Sequence, residues 1–567
     1  MVWKIDDEQG NEAAKISHLI VPFTRGKGLD LGCGPWKAWP HFISVDNFDE
    51  WVVAKPWAPD VRGDATDLSM FTTGKLDFVF SSHLLEHLDD TRKALKEWWR
   101  VIKADGYLVL YLPHAAFYPN IGVEGANPDH KHDFWPKDII EHMKNVGGWD
   151  LVVSESRDQG TEYSFLQIYK KRGSSRKHLY SCDEAVAMRQ KSHKYYGKRL
   201  LVIRYGGIGD CIMASAVLPG LKAQGWHITY QTIPLGEAIL RHDPNIDEFW
   251  IQDRDQVPNE QLPQYWEALA REFDHVVNLS ESVEGTLLAI PGRREYVLSK
   301  RARHLYMNHN YLTFQAAIAE VPPPYTPVFY PSDAEAKAAF EFREQLGDSP
   351  VILWALAGSS VHKAWPWVDK AVLSLLANTN AKIVFVGDKA AQLLETGIAQ
   401  VVALNMFGID YQASDDMKFS DLLLKIKECF GGVNRLICKS GAWQIRETLA
   451  FVEQANLIVG PETGVLNAAS ALPNPKVCML SHSTHNNLTR DWVNTTTLEP
   501  TADVACYPCH RMHYNRDFCP EDEDTGASVC AASITWERVY DAITEALTRT
   551  YGAKVVEEIT VGQEAAE

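Results

Sequence analysis

The stretch that decides the fold reads Val202-Ile203-Arg204-Tyr205-Gly206-Gly207-Ile208-Gly209-Asp210-Cys211. An apolar strand runs into a loop with three glycines, and an apolar helix follows as far as Lys222. In a parallel α/β sheet such a turn lies at the carboxyl edge, where ligands bind. Asp210 begins the helix and is therefore predicted to face the crevice at this edge. The alternative for Asp210 is a carboxylate that only caps the helix.

The order of Arg204, Gly206, Gly209 and Asp210 resembles the R-x-G-x-x-G-D opening of family 9 glycosyltransferases, the heptosyltransferase group. The resemblance implies a GT-B architecture, in which two Rossmann-like domains hold the active site in the cleft between them. It also implies a nucleotide-sugar donor, transfer without a metal, and Asp210 as the base that deprotonates the acceptor hydroxyl. Residues 273–279 resemble the family's mid-domain strand.

The C-terminal domain would bind the donor of such an enzyme. Residues 357–366 resemble the family's phosphate-lysine loop, with Lys363 as the lysine. A fixed cation beside the departing diphosphate lowers the barrier to transfer; the alternative for Lys363 is an exposed surface lysine. Asp388 follows the predicted strand 382–386, at a position where the family contacts nucleotide.

A second turn of the predicted donor domain lies at residues 460–469, after the apolar strand 457–459. A strand, a tight turn and a helix present backbone N–H groups to a phosphate. The segment resembles the family pattern D-T-G-x-x-H-x-A, which implies donor-binding roles for Glu462, Thr463, Gly464 and Asn467. Glu462 replaces the aspartate and Asn467 the histidine, so the resemblance does not specify a heptose.

A separate α/β pattern occupies residues 27–172, where apolar runs alternate with helical spacing, as in a parallel sheet covered on both faces. The predicted strands include residues 28–31, 42–45, 76–80 and 107–111, and the predicted helix is 91–102. Gly32 and Gly34 follow the first strand. Asp46 ends the second, where a carboxylate can accept both hydroxyls of a ribose. Asp64 is expected at a third strand end, as an acceptor for an adenine amino group.

The ordered set of Asp30, Gly32, Gly34, Asp46 and Asp64 resembles class I S-adenosylmethionine-dependent methyltransferases. Residues 81–88 and 99–108 resemble the family's signatures after the fourth strand and at its R-x-L-K-P-G-G turn, with Ala104-Asp105 in place of Pro-Gly. The resemblance covers residues 25–170 and implies S-adenosylmethionine as the cofactor. The rival interpretation, a Rossmann dehydrogenase, requires a third glycine, and the loop has Lys37 at that position.

Methyl transfer depends mainly on positioning and desolvation, so a general base is optional. Several histidines lie near the predicted strand ends: His83, His87, His114, His130 and His132. None of them is assigned a catalytic role, because histidines at such positions are more often surface or hydrogen-bonded residues. Glu86 and His87 are expected to shape the wall of the pocket.

Four of the ten cysteines lie close together near the C-terminus with the spacing C-x2-C-x9-C-x10-C. They are Cys506, Cys509, Cys519 and Cys530. Four thiolates can complete a zinc tetrahedron, so the pattern predicts a structural zinc site. Unligated thiols and a disulfide stay open as alternatives. A catalytic zinc site is not expected, because no set of histidines and carboxylates with an open position is apparent.

The chain of 567 residues is too long for one hydrophobic core. The predicted fold class is α/β, with a class I methyltransferase Rossmann-like domain followed by the two Rossmann-like domains of a GT-B glycosyltransferase. The predicted boundaries are 1–172 for the methyltransferase-like domain, 173–197 for a linker, 198–330 for the acceptor domain, 331–555 for the donor domain with the cysteine pattern, and 556–567 for an acidic tail.

The net charge of −18 opposes binding to nucleic acid or to anionic membrane surfaces. No run approaches 18 consecutive apolar residues, and the N-terminus lacks the apolar region of a secretory signal. We therefore expect a cytoplasmic enzyme that takes small-molecule donors. Its acceptor would be a glycan, a lipid-linked molecule or a protein surface.

Together these features predict a bifunctional carbohydrate-modifying enzyme. It would transfer a glycosyl group from a nucleotide-sugar, with Asp210 as base, and a methyl group from S-adenosylmethionine to the glycan or a related acceptor. Three alternatives stay open. The N-terminal domain could be a non-catalytic scaffold, it could methylate nucleic acid, or the C-terminal half could be a sugar-binding module.

Overall fold

A computed structural model describes residues 11–47, 57–158, 160–173, 198–253, 256–258, 261–280, 294–411 and 417–552. The predicted tail 556–567, and the predicted linker apart from Gly173, lie outside these ranges. The chain divides into two compact units, residues 1–201 with 250–276 and residues 202–249 with 277–567. No helix within the described ranges is long and apolar enough to cross a membrane.

The first unit is built on a seven-stranded sheet of order β3-β2-β1-β4-β5-β7-β6. Its strands are β1 (Gly28–Leu31), β2 (Ile43–Asp46), β3 (Val61–Arg62), β4 (Leu76–Ser82), β5 (Ile102–Pro113), β6 (Trp149–Arg157) and β7 (Ser164–Lys171). β1 to β5 pair in parallel, and β7 runs antiparallel to both β5 and β6. Central strands of a parallel sheet are buried on both faces, and all four residues of β1 are buried accordingly.

The first unit also contains helices, one of them at the predicted position. The α-helices are Ser17–Ile20, Thr91–Val101, Pro136–Val146 and Leu262–Ala270, and the 3-10 helices are Glu12–Lys15, Val21–Phe23 and Leu85–His87. Asp90 caps the second α-helix by accepting the amide of Lys93 at 2.9 Å. The predicted helix over 91–102 is thus confirmed, except that Ile102 already belongs to β5.

The strand order of the first unit reverses direction between β1 and β4. In an open α/β sheet, ligands bind outside the carboxyl ends of the strands at such a switch point. The loops after β1 and β4 are therefore the places where a site is expected.

The remaining strands form a four-stranded sheet, and a six-stranded sheet that belongs to the second unit. The four-stranded sheet has the order β10-β9-β8-β11, formed by β8 (Arg199–Ile203), β9 (His227–Thr232), β10 (Glu248–Ile251) and β11 (His275–Asn278). The amide of Arg204 continues the pairing past β8, donating to the carbonyl of Gln231 at 3.0 Å. The Gly206–Gly209 loop thus leaves the sheet at the end of β8, as predicted.

The six-stranded sheet is fully parallel, with the order β14-β13-β12-β15-β16-β17. Its strands are β12 (Val351–Ala355), β13 (Lys382–Val386), β14 (Leu436–Cys438), β15 (Leu457–Pro461), β16 (Lys476–Met479) and β17 (Thr495–Leu498). The order reverses between β12 and β15, so the loops after these two strands border the switch point. The predicted α/β fold class is confirmed in both units.

The second unit also contains most of the helices and two apolar cores. The α-helices are Ile208–Ser215, Leu218–Ala223, Pro234–Leu240, Lys300–Met307, Tyr311–Ile318, Asp333–Gln345, Val368–Asn378, Ala391–Phe407, Phe419–Cys429, Ile445–Phe451, Gly464–Ala469, Val529–Ala532 and Trp536–Tyr551, and the 3-10 helices are Arg294–Val297, Val361–Lys363 and Val452–Gln454. One core packs Trp354, Val372 and Phe385 together, and the other packs Met213 and Leu466 with Leu353. The second core therefore joins the Asp210 helix (Ile208–Ser215) to the six-stranded sheet.

Candidate active sites

The loop after β1 contains the first predicted site. Asp30 is buried at the end of β1 and accepts the amide of Ala38 at 2.8 Å. Burial raises the pKa of Asp30 to about 7. The backbone of Gly32 and of Gly34 is left-handed, with φ of +68° and +52°. A Cβ on Gly34 would meet only the Trp36 ring, at 4.0 Å, so space lies open beside this turn.

The structure brings the loop after β1 to the end of β2. The amide of Gly34 donates to Asp46 Oδ2 at 3.1 Å, and the amide of Gly63 donates to the Asp46 carbonyl at 2.9 Å. Asp64 is the next residue; it is exposed and accepts the amide of Thr66 at 2.7 Å. The predicted residues therefore follow three neighbouring strands along one edge. Open space beside left-handed glycines, with carboxylates at the adjacent strand ends, fits a nucleoside cofactor.

The histidines near this edge have different surroundings. His83 follows β4 with a left-handed backbone, and its Nε2 lies 2.9 Å from Ser164 Oγ. Burial lowers the pKa of His83 to about 3, so this imidazole is neutral and weakly basic near pH 7. His114 Nδ1 accepts the amide of Ala116, and His132 Nε2 lies 2.9 Å from the Leu88 carbonyl. His87 and His130 lie beside the buried carboxylate of Glu86.

Asp210 is the third residue of its helix in the second unit, and its carboxylate has two partners. Oδ2 accepts the amide of Gly207 at 2.8 Å, and Oδ1 lies 3.0 Å from Nη2 of Arg204. Arg204 is fully buried, whereas the Asp210 side chain is 22% exposed. Asp210 therefore caps its helix, as the alternative interpretation held. Each carboxylate oxygen has two acceptor sites, so a substrate hydroxyl can still bind.

Lys363 lies in the 3-10 helix after β12 and is 8% exposed, which rules out the alternative of a surface lysine. Gly358 sits under its side chain: a Cβ on Gly358 would approach Lys363 Cδ to 2.6 Å and the Glu462 carbonyl to 3.4 Å. The loop after β12 thus packs against the turn after β15, at the switch point. The positive charge of Lys363 acts on Glu462 from there.

Glu462 is buried in the turn after β15 and has partners that the sequence did not indicate. Ser483 donates to Glu462 Oε2 at 3.1 Å, and Nδ1 of His482 lies 3.2 Å from the same oxygen. Burial raises the pKa of Glu462, while Lys363 and Ser483 act in the opposite direction. His482 and Ser483 belong to the polar run 481–485 after β16. A polar run that directly follows a buried parallel strand is the signal that could have identified them.

The Asp210 helix and the helix Gly464–Ala469 meet at two glycines. A Cβ on Gly464 would approach Ile208 Cγ2 to 2.4 Å, and a Cβ on Gly209 would approach Asn467 Nδ2 to 2.6 Å. Asn467 is buried, and its Nδ2 donates to the Thr463 carbonyl at 2.9 Å. The electrostatic influence of Asp210 also reaches Glu462, whose pKa it helps to raise. The predicted acceptor-side and donor-side residues thus lie close together.

Asp388 is placed differently from the other predicted donor residues. Its side chain is exposed, and Oδ1 accepts the amides of Ala390 and Ala391 at 3.0 and 3.1 Å. This carboxylate caps the start of the helix Ala391–Phe407, which is the ordinary role of an aspartate at such a position.

The four C-terminal cysteines line one cavity of about 140 Å³. All four are free thiols, and Cys519 and Cys530 are buried. The sulfur of Cys519 lies 3.1 Å from Ser528 Oγ, and that of Cys509 lies 3.8 Å from Nε2 of His513. No three of these four sulfurs lie within 4.8 Å of one another in the described part of the chain. A tetrahedral zinc site would therefore require their side chains to move closer together.

A family model described as a methyltransferase domain matches residues 29–110. The match confirms the predicted methyltransferase domain. It therefore also confirms the prediction that the chain is a transferase. No curated protein matches the chain.

Solved structures similar to this chain include proteins of both predicted kinds. ADP-heptose lipopolysaccharide heptosyltransferase II of E. coli is 15% identical, with 62% of this chain and 99% of that chain covered and a TM-score of 0.42. A family 9 glycosyltransferase of Veillonella parvula is 16% identical, with coverage of 62% and 98% and a TM-score of 0.43. A S-adenosylmethionine-dependent methyltransferase of Archaeoglobus fulgidus is 19% identical, with coverage of 28% and 92% and a TM-score of 0.22.

Proposed function

We propose that the chain is a bifunctional carbohydrate-modifying transferase. Residues 1–172 would transfer a methyl group from S-adenosylmethionine, and residues 198–330 and 331–555 would bind the acceptor and the nucleotide-sugar donor of a glycosyl transfer. The observation that carries the second activity is the convergence of Asp210, Glu462 and Lys363 from loops that follow β8, β15 and β12. A base and a buried cation at facing strand ends suit the displacement of a nucleoside diphosphate.

In the proposed glycosyl transfer, the acceptor hydroxyl oxygen forms a bond to the anomeric carbon of the sugar. The bond from that carbon to the phosphate oxygen breaks, and the diphosphate leaves with the electron pair. Asp210 takes the proton of the hydroxyl on a free acceptor site of its carboxylate. Lys363 stabilises the charge on the diphosphate. Arg204 and the Gly207 amide hold the Asp210 carboxylate in place.

The glycosyl-transfer proposal is tested by Asp210→Asn in a nucleotide-sugar panel that measures released nucleoside diphosphate with and without acceptor. The asparagine oxygen can still accept the Gly207 amide but cannot act as a base, so we expect turnover to fall by at least about a hundredfold, with nucleotide binding retained. Asp421→Asn is the matched control, because Asp421 has the same capping role in the helix Phe419–Cys429. Unchanged turnover of Asp210→Asn would contradict its role as base, whereas nucleotide binding without any release of nucleoside diphosphate by the unmodified chain would favour a sugar-binding module.

For the first unit, we propose that the edge after β1, β2 and β3 binds S-adenosylmethionine. When bound, this cofactor supplies a methyl group on a positively charged sulfur. Asp46 would accept hydrogen bonds from the ribose hydroxyls, and Asp64 would accept one from the adenine amino group. Gly32 and Gly34 leave room for the ligand beside the backbone. The side chains would thus bind and orient the cofactor, so that catalysis rests mainly on positioning.

Calorimetry with S-adenosylmethionine tests the cofactor proposal. Asp46→Asn replaces a carboxylate that can accept two hydroxyls with an amide that has one acceptor oxygen. The loss of a charge-assisted hydrogen bond is worth about 1.5–3 kcal/mol, so we expect affinity to fall by roughly ten- to a hundredfold. Asp67→Asn is the control, because Asp67 is an exposed aspartate in the adjacent turn. Absence of binding by the unmodified chain would favour a scaffold domain.

The cysteine quartet is proposed as a structural zinc site. Its four free thiols line a single cavity, which supports this donor set, although the sulfurs are further apart than ligands around a bound ion. Zinc would hold the loop 506–530 together and take no part in transfer. Zinc content of the purified chain and of Cys519→Ser measures this. A loss of one equivalent on substitution supports the site, and equal zinc content in the two samples contradicts it.

A further inference from the structure

Three side chains of the first unit form a cluster that the proposed methyl transfer does not use. They are Glu86, His87 and His130, and their ligand atoms all lie within 4.8 Å of one another. Glu86 Oε1 is 3.9 Å from Nε2 of His87 and 3.9 Å from Nε2 of His130. No other group of three such side chains is this compact in the described residues.

The carboxylate of Glu86 lacks the compensation that a buried charge ordinarily has. The side chain is fully buried, and neither carboxylate oxygen has a hydrogen-bond partner in the described part of the chain. A buried charged group without a partner is strongly destabilising, so such carboxylates are normally paired or bound to a metal. Nδ1 of His83 lies slightly closer, at 3.8 Å from Oε1, which is also too far for a hydrogen bond. The Glu86 carboxylate is thus left without a hydrogen bond from any of these three histidines.

The imidazole of His87 is oriented as a metal ligand would be. Nδ1 of His87 lies 3.2 Å from the Asp129 carbonyl, which can only accept. Nδ1 therefore carries the proton, and the lone pair of Nε2 faces Glu86. A ligating histidine in proteins almost always donates its other N–H to a carbonyl or carboxylate in this way.

The backbone holds the third ligand against the other two. The amides of Lys131 and His132 both donate to the carbonyl of Glu86, at 2.8 and 3.2 Å. These two bonds place His130 beside Glu86, although the two residues are far apart in the sequence. The position of His130 is thus fixed by main-chain hydrogen bonds, as a preformed site requires.

We propose that Glu86, His87 and His130 bind one divalent transition-metal ion, with zinc as the expected ion. Two imidazoles and one carboxylate are the ligand set of open zinc sites, in which water or substrate occupies the remaining position. Magnesium is disfavoured because it prefers oxygen ligands. His87 is 29% exposed, so solvent reaches the cluster on its side. The proposed metal site does not depend on methyl transfer. It lies near the proposed cofactor loop, because a Cβ on Gly32 of that loop would approach Leu84, two residues before Glu86, to 2.7 Å.

Cobalt titration of the full chain, after removal of metal with a chelator, tests this site. Thiolate ligands give cobalt intense charge-transfer absorption, whereas nitrogen and oxygen ligands do not, so cobalt at this cluster is distinguished from cobalt at the cysteine quartet. We expect one equivalent without thiolate absorption, displaced by zinc. Its affinity should fall by at least about tenfold in both Glu86→Gln and His130→Asn. His142→Asn, on the helix Pro136–Val146, is the matched histidine control and should bind as the unmodified chain does.

The proposal is overturned if Glu86→Gln and His130→Asn bind the same number of ions with unchanged affinity, or if all bound cobalt shows thiolate absorption. His87→Asn provides a third variant should either of the others fail to fold, as judged by circular dichroism. S-adenosylmethionine binding is measured on the same samples. A chain that binds the cofactor but no second ion contradicts the metal site alone, and the reverse contradicts only the proposed cofactor binding.

Discussion

At the scale of single residues, Gly464 and Gly209 explain how the predicted acceptor and donor residues come close together. Each glycine faces a side chain of the opposite helix at a distance where a methyl group does not fit. The absence of two Cβ atoms therefore lets the start of the Asp210 helix lie against the turn that holds Glu462. Any side chain at either position would push the two loops apart.

Gly464→Ala should destabilise the chain by about 1–3 kcal/mol, because the new Cβ would overlap Ile208 Cγ2. Gly397→Ala is the matched control: Gly397 lies within the helix Ala391–Phe407 with nothing within 4 Å of its Cβ position. There the same substitution should stabilise by about 0.5–1 kcal/mol. Thermal or urea unfolding of both variants measures the difference, and equal effects would contradict the close approach.

At the scale of elements, Arg446 connects two helices of the second unit through an ion pair. Its Nε and Nη2 each lie 2.7 Å from an oxygen of Glu335, which joins the helix Ile445–Phe451 to the helix Asp333–Gln345. The same guanidinium donates to the carbonyls of Ala238, Ile239 and Tyr330. A planar group with five donors can make these bonds at once, which a lysine could not.

This ion pair gives a pH dependence whose sign follows from Glu335. The hydrogen bonds from Arg446 lower the pKa of Glu335 from 4.5 to about 2. The folded state therefore holds the proton less tightly than the unfolded state does. The stabilisation is complete above about pH 4.5 and is lost as the pH falls toward 2.

We expect Glu335→Gln to remove this contribution, on the order of 2 kcal/mol, and to flatten the acid side of the stability profile. Glu341→Gln on the same helix is the control, because Glu341 is 59% exposed and lies 3.7 Å from the exposed Lys337. Urea unfolding at several pH values between 3 and 7 provides the measurement. Parallel profiles for the two variants would show that the Arg446 pair is not coupled to acid unfolding.

At the scale of the whole molecule, the proposed function predicts an order of reactions on one chain. Fusion raises the effective concentration of one site's product near the other. With acceptor, nucleotide-sugar and S-adenosylmethionine together, mass spectrometry should detect a product carrying both a sugar and a methyl group. Asp210→Asn should strongly reduce both additions if the methyl group goes to the transferred sugar, whereas Asp46→Asn should reduce only methylation, at limiting S-adenosylmethionine. A methylated acceptor without sugar in Asp210→Asn would contradict methylation of the new sugar.

How far the sequence predicts the site differs between its residues. Lys363 and Asp210 lie in the segments that follow β12 and β8, and the apolar pattern of these strands is local and can be read from the sequence. Asp388 has equally local context, yet its carboxylate caps its own helix, because an exposed aspartate near free helix amides satisfies them first. The partners of Glu462 come from the loop after β16, and only the strand order puts that loop next to β15.

The sequence by itself determined the α/β class and the glycine turns at the strand ends, since hydrophobic periodicity and the lack of a Cβ act within a few residues. Only the tertiary structure decided which distant side chains meet. Glu86 and His130 join through backbone bonds between separate loops, and Gly464 meets Ile208 through helix packing. Such contacts depend on strand order and on the path of the loops, which no local spacing of residues encodes.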